Sequence, residues 1–151
     1  MITRVFIDSR HVLGKAHPFG YNVRFGDLDI PTLKGVSKVE LRNMTFPKIK
    51  DEMYYFIKLG GFDSNLYNSS SSSNLNDCFC IVYFDNGNMA EGSYKTMKGS
   101  DLSIKSVEFD GQRPTLHSFK IEFLKSDGTL VDIASTGQQV DHTFLLEITH
   151  A

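Results

Sequence analysis

The chain is 151 residues long, 40% hydrophobic and 23% charged, with a formal net charge of -2. This length suffices for one domain whose core needs no disulfide or structural metal. The near-neutral charge excludes a global basic field that would attract nucleic acid or anionic lipid. No apolar run approaches the roughly 18 residues of a membrane-spanning helix, and no secretory signal pattern is visible, so we expect synthesis in the cytoplasm.

Residues 1–20 are predicted to form an N-terminal arm. The apolar run at residues 5–7 would suit a short strand, but the polar run 8–11 and the glycine and proline that follow are typical of a loop. We therefore divide the chain into this arm and one domain, residues 21–151.

Extended segments with alternating apolar side chains make up most of the domain. Tyr21 and Val23 alternate with polar residues, as do Val39 and Leu41, which predicts strands with one buried face. Eight strands are predicted in all, beginning near residues 21, 36, 53, 78, 93, 102, 117 and 143. The long polar segment 61–77 between two of them is predicted to be a surface loop, because it offers too little apolar area to become ordered.

Two predicted strands, residues 53–59 and 78–84, are apolar on both faces. Such strands need cover on both sides, because apolar side chains on the outer face of a sandwich would form an exposed patch. Either sister subunits or the arm or a loop of the same chain would supply that cover. We predict that the outward set, and the candidate assembly surface, consists of Tyr54, Phe56, Phe79, Ile81 and Tyr83.

A β-hairpin is predicted at residues 118–133. Phe119, Ile121 and Phe123 fall on one face, and Asp127-Gly128 provides two residues that tolerate the positive φ of a tight turn. No segment shows sustained helical periodicity, so the predicted fold class is all-β. Eight antiparallel strands, with some connections too long for hairpins, favour an eight-stranded jelly-roll sandwich with an N-terminal arm over an up-and-down barrel.

Residues with catalytic or ligand-binding potential lack the spacing that such chemistry needs. The histidines show neither the His-x-His nor the His-x-x-x-His spacing of a cupin-type metal site; they are His11, His17, His117, His142 and His150. Cys78 and Cys80 are expected to be buried free thiols, because neighbours at i and i+2 on a strand are badly placed for a disulfide. Asp27 and Asp29 share one loop and are expected to be solvated.

No nucleophile elbow and no phosphate-binding loop occurs in the sequence. We therefore predict a protein that is not an enzyme, with no catalytic residues, no cofactor and no metal. A small cupin-like enzyme is disfavoured by the same lack of ligand spacing.

A pattern of strands and turns extends over most of the chain, at residues 5–10, 21–25, 35–41, 116–123, 126–128 and 142–148. The first of these segments ends in Asp-Ser-Arg, and the last three form the predicted hairpin and the closing strand. Together they resemble the single-jelly-roll penton or minor capsid proteins of large double-stranded DNA viruses. The serine-rich insertion has no counterpart in that resemblance.

The resemblance implies a structural protein of the virion capsid, synthesised in the host cytoplasm. It implies a homo-oligomer, a pentamer that closes the icosahedral vertex beside neighbouring major capsid proteins, with no specific nucleic acid partner. Cyclic closure needs heterologous contacts, in which one patch meets a different patch on the next copy. Arg4 and Arg10 are expected to hold neighbouring subunits, since two charges give little affinity for nucleic acid at physiological salt.

A jelly-roll lectin or receptor-binding head is the alternative function. Tyr54, Tyr67 and Tyr83 would then stack on sugar rings. The chain has no tryptophan, which weakens this reading.

Overall fold

The computed structural model describes residues 1–48, 52–60, 78–83, 93–98, 106–132 and 141–151. These residues contain no α-helix, two short 3-10 helices, Ser9–His11 and Phe25–Leu28, and nine strands. The strands are β1 (Ile2–Asp8), β2 (Gly20–Arg24), β3 (Lys38–Pro47), β4 (Tyr54–Gly60), β5 (Cys80–Tyr83), β6 (Tyr94–Lys98), β7 (Ser106–Glu108), β8 (Ser118–Leu124) and β9 (Thr143–Thr149). The all-β prediction is confirmed, whereas the predicted loop 61–77 lies outside the described residues. No described helix is long and apolar enough to cross a membrane.

The strands form two antiparallel sheets. The first sheet has the order β1-β9-β3-β6, with β7 also paired to β3, and the second has the order β2-β8-β4-β5. Apolar side chains from both sheets meet in one buried cluster, an arrangement compatible with a β-sandwich. Each of the eight predicted strands overlaps a strand of the described chain, and β1 is additional.

Alternation along the strands determines which side chains are buried. Leu41 of β3 points into the core, as predicted. The pairing of β3 with β9 then shifts by one residue at Arg42, so the bulge brings Met44 and Phe46 to the buried face. Without this extra residue the same alternation would have directed both side chains outward.

The prediction of an arm over residues 1–20 is wrong for its first part. Ile2–Asp8 forms β1 and pairs with β9 along its whole length. Val5 and Ile7 are buried in the core, which outweighs the polar character of the residues that follow. Phe19, at the other end of the predicted arm, is also fully buried, so this segment belongs to the folded body.

The predicted hairpin turn is confirmed. Gly128 adopts a φ of 82°, which an L-residue rarely does, and the Lys125 N–H donates to the Thr129 carbonyl at 2.8 Å. The Asp127 carboxylate accepts hydrogen bonds from both the N–H and the hydroxyl of Thr129. The return strand is shorter than predicted, since its described residues form one bridge, between Leu124 and Leu130.

Candidate functional site

The outer face of the second sheet carries an apolar surface, which we call the aromatic patch. It consists of Tyr54, Phe56, Ile81 and Tyr83, packed with Cys78, Leu124 and Leu130. Strand β4 directs its members outward because Tyr55 and Ile57, which have the opposite parity, fill the core.

Strand register brings together four of the five apolar residues predicted for assembly. Phe56 lies opposite Leu124 on one neighbouring strand and Ile81 on the other. Tyr54 lies opposite Tyr83, and their ring centroids are 6.1 Å apart. Phe56 is only 7% exposed, whereas Tyr83 is 49% exposed, so the patch has a buried centre and an accessible edge.

Phe79 was predicted to face outward with these residues, but it lies in the core. Its side chain is buried in the core shared by the two sheets, and Cys78 occupies the outer face in its place. Phe79 precedes the first residue of β5, and its N–H donates to the Ile57 carbonyl at 2.6 Å. The alternation of inward and outward side chains along β5 therefore does not extend back to Phe79, because Phe79 and Cys80 both face the core. The outward assignment of Phe79 is corrected to an inward one.

A second apolar surface lies between the edge strands β1 and β2, in a groove of about 380 Å³ that we call the edge groove. Phe6, Leu13 and Leu28 line it and are 59%, 73% and 39% exposed. Arg24 and Asp27 provide its charged lining together with Asp8 and His11. The sequence did not predict this groove, because it arises where the edges of two sheets meet. The signal in the sequence was the presence of two leucines, Leu13 and Leu28, each isolated in a polar loop.

Both predicted assembly arginines bind carboxylates of their own chain. Arg4 Nε lies 3.0 Å from Glu147 Oε2, which joins β1 to β9. The Arg10 guanidinium binds both oxygens of Asp8, with the shortest contact at 2.6 Å. The hydrogen bond from Arg10 lowers the pKa of Asp8 from 3.8 to about 2. Each guanidinium remains exposed, so its other N–H groups can reach a neighbouring molecule.

His142 is a buried polar side chain at one end of the core and is 2% exposed. Its Nε2 lies 2.6 Å from the hydroxyl of Tyr21. Burial raises the pKa of Tyr21, and the charge of Asp8 raises it further, so the hydroxyl keeps its proton and can donate. Aromatic rings from both sheets and a loop enclose the imidazole at centroid distances of 4.8 to 6.5 Å; they are Phe19, Tyr21, Phe46, Phe123 and Phe144.

The backbone of His142 is tied to the start of the chain through Ser9. The Ser9 N–H donates to the His142 carbonyl, and the His142 N–H donates to Ser9 Oγ, each at 2.9 Å. Ser9 is itself buried, and its hydroxyl also contacts Asp141. Within the Asp-Ser-Arg segment, Ser9 thus fixes the residue that precedes β9, and Asp8 and Arg10 form an ion pair with each other.

The inward position of His142 was readable from the sequence. It has the same parity as Phe144, Leu146 and Ile148, whose alternation predicted the last strand. Removing a charge from water costs several kcal/mol, whereas a cation over aromatic rings gains about 2 kcal/mol when desolvated. The enclosure of His142 by aromatic rings removes the water that would solvate a charged imidazole.

The other candidate ligand and reactive residues are dispersed. In the part of the chain that the structure describes, no three His, Cys, Asp or Glu side chains lie together in a way that could hold a metal ion. Cys78 and Cys80 are buried free thiols, as predicted, and burial raises the pKa of Cys80. Asp27 and Asp29 lie at a short 3-10 helix and its end, both exposed, and Tyr67 lies outside the described residues.

Neither a protein-family model nor a curated protein matches this sequence. Function is therefore inferred from the strand arrangement and from the two exposed apolar surfaces. Surfaces of this kind support non-covalent association rather than bond chemistry. The aromatic patch and the edge groove lie on different parts of one chain, so each would meet a partner through a distinct set of residues.

Proposed function

We propose that this chain is a non-enzymatic structural subunit with a single jelly roll, which assembles as a pentamer at the vertex of a viral capsid. It would be synthesised in the host cytoplasm and would contact neighbouring major capsid proteins in the virion. The resemblance of its opening and closing strands to penton proteins of large double-stranded DNA viruses motivates the proposal. The order of strand pairing is the observation that carries it.

Strand pairing supports the jelly roll because the pairs are nested. β1 pairs with β9, β2 with β8, β3 with β6 and β7, and β4 with β5, always antiparallel. A long two-stranded ribbon rolled upon itself pairs its strands in this way, with alternate pairs in opposite sheets. β6 and β7 pair with different parts of β3, Asn43–Pro47 and Lys38–Glu40, and share one strand position. If β6 and β7 are counted as one strand position, the nine described strands occupy eight positions in the two sheets.

Cyclic assembly is supported by the presence of two unlike apolar surfaces on one chain. A ring is closed by heterologous contacts, in which a patch on one copy meets a different patch on the next. The aromatic patch presents exposed Tyr83, and the edge groove presents exposed Phe6 and Leu13. Arg4 lies on the same face of β1 as Phe6, and Arg10 binds Asp8, which lines the groove.

Native mass spectrometry of the full chain over a range of concentrations tests the proposal. We expect a pentamer that grows at the expense of monomer as concentration rises. Tyr83→Ser and Phe6→Ser should each shift this equilibrium toward monomer, because each removes exposed apolar area from one of the two surfaces. Gln112→Ser, at an exposed residue that belongs to neither surface, is the matched control and should leave the equilibrium unchanged. A chain that stays monomeric at every concentration would contradict the proposal.

The lectin or receptor-binding alternative is favoured by one observation, the exposed ring of Tyr83 beside Tyr54. Their planes are inclined by 52°, so the two rings do not form one flat platform for a sugar. A glycan array separates the two functions. Sugar binding that Tyr83→Ser abolishes, by a chain that does not form pentamers, would favour the alternative.

A further inference from the structure

The buried histidine at the end of the core provides a second property of this chain, separate from assembly. We propose that His142 is an acid-sensitive latch: protonation of its ring loosens the end of the molecule where the two sheets and the Asp-Ser-Arg segment meet. The chain is held together at neutral pH and weakened in mild acid.

The latch is built from contacts that reach both sheets. Phe46 and Phe144 belong to the first sheet, and Tyr21 and Phe123 belong to the second, yet all four rings lie against the imidazole of His142. The backbone of the same residue holds Ser9 through two hydrogen bonds. A change at this ring therefore acts on the packing between the sheets and on the anchoring of β1 together.

Charging the ring disturbs this arrangement in two ways. An imidazolium donates at both nitrogens, so the Tyr21 hydroxyl must accept from Nε2, and its own hydrogen must find another acceptor inside the aromatic enclosure. The enclosing phenyl rings also exclude the water that would solvate the charge. Relief of both requires water to enter, and water enters when the rings move apart.

Charged and titratable groups surround the latch on several elements. Asp8 and Arg10, at the end of β1, form an ion pair, and with Tyr94 of β6 and Asp141 they line a polar cleft of about 340 Å³ beside His142. Tyr21 of β2 binds the ring directly, and Tyr55 of β4 packs on Phe46 and donates its hydroxyl hydrogen to the Pro47 carbonyl. Asp141 favours a charged ring and the aromatic enclosure opposes it. The enclosure has the larger effect, because a half-buried carboxylate replaces little of the lost hydration.

The pH at which the latch begins to loosen is set by the pKa of histidine in the unfolded chain. A histidine in water takes up a proton near pH 6.5, while the enclosed ring resists protonation. The unfolded state then binds one more proton than the folded state, so the folded state loses stability as the pH falls below about 6.5. For one proton, the unfolding equilibrium constant rises up to about tenfold for each pH unit.

Denaturant unfolding at several pH values between about 7.5 and about 5 tests the latch, with the wild-type chain compared with the double variant Tyr21→Phe/His142→Phe. The double variant removes both polar partners and keeps the aromatic volume, which limits the damage to the core. We expect the wild-type unfolding constant to rise about tenfold more per pH unit than that of the double variant. His117→Gln is the matched control, because its ring is exposed, and it should retain the wild-type pH dependence. Equal pH dependence in the wild type and the double variant would overturn the proposal.

A measurement on the wild-type chain covers the case in which the double variant does not fold. The Cε1 proton of His142 is followed by NMR as the pH of the folded protein is lowered. We expect its chemical shift to stay constant until unfolding begins. A ring that titrates near pH 6.5 while the protein stays folded would show that the enclosure does not resist the charge, and the latch would be rejected.

Discussion

The outer faces of the two sheets differ in how their side chains are paired. On the first sheet, Glu40 lies between Lys38 and Arg42, at 3.0 and 2.7 Å, and Arg4 pairs with Glu147. On the second sheet, the corresponding area around Phe56 is occupied by apolar side chains, which end in the exposed ring of Tyr83.

This difference affects what a partner could gain on each face. The ion pairs around Glu40 are satisfied by each other and by water, so that part of the first sheet needs no further cover. Exposed aromatic area gains free energy when another surface removes it from water, at about 25 cal/mol per Å². On the second sheet that gain is available at the exposed ring of Tyr83, whereas the ion-paired area of the first sheet resists non-specific association.

Phe56→Ala is expected to have the largest effect on this contrast. Phe56 is 7% exposed and packs between Leu124 and Ile81, so its removal leaves a cavity under the patch. We expect a loss of about 3 kcal/mol in the free energy of unfolding, measured by chemical denaturation. Lys58→Ala, two residues along the same face of β4, is the matched control and should cost about 0.5 kcal/mol. Equal losses in the two variants would mean that the patch adds no more to stability than its polar neighbours.

Asp8→Asn should have a smaller effect, at the edge of the ion-paired sheet. Asn keeps one oxygen that can accept from the Arg10 N–H, so the change removes the charge and one of the two acceptors that Arg10 binds. We expect a loss of about 1 kcal/mol at neutral pH, because the pair is bidentate but partly exposed.

The pH dependence of the stability loss in Asp8→Asn tests whether the charge of Asp8 is responsible for it. The folded-state pKa of Asp8 is lowered to about 2 from 3.8, so its contribution is present above pH 3.8 and disappears as the pH falls toward about 2. The stabilities of the wild type and Asp8→Asn should therefore converge in that range. A difference that stays constant down to about pH 2 would show that the charge of Asp8 is not responsible.

Local alternation predicted the strands well where the pairing with neighbouring strands is regular. Tyr21 and Val23 are buried on β2, and Phe119 and Ile121 on β8, as the period of two required. The hairpin turn at Gly128 was also predicted, because a positive φ is a local property of the residue.

Features that depend on pairing between distant segments were not predicted. β1 is stabilised by β9, more than a hundred residues away, and its own seven residues gave no decisive pattern. The bulge at Arg42 is defined by its partner strand, and the edge groove by two strands in different sheets. His142 was considered only as a metal ligand, although its parity with Phe144 already indicated burial.

Glu40→Gln should have the smallest effect and tests the ion-paired face most directly. Glutamine keeps the size of the side chain, but it lacks the charge, and its single oxygen can accept from only one of Lys38 and Arg42 in their present positions. Hydrogen bonds from Lys38, and then from Arg42, lower the pKa of Glu40 below its usual 4.5. The contribution of its charge is therefore present above pH 4.5 and is lost as the pH falls through the lowered folded-state value. We expect about 0.5 kcal/mol at neutral pH and low salt, measured by chemical denaturation, and almost nothing in about 1 M salt, where exposed charges are screened. A loss that persists in high salt would mean that Glu40 stabilises the sheet by packing, and the two outer faces would then differ less than their charges indicate.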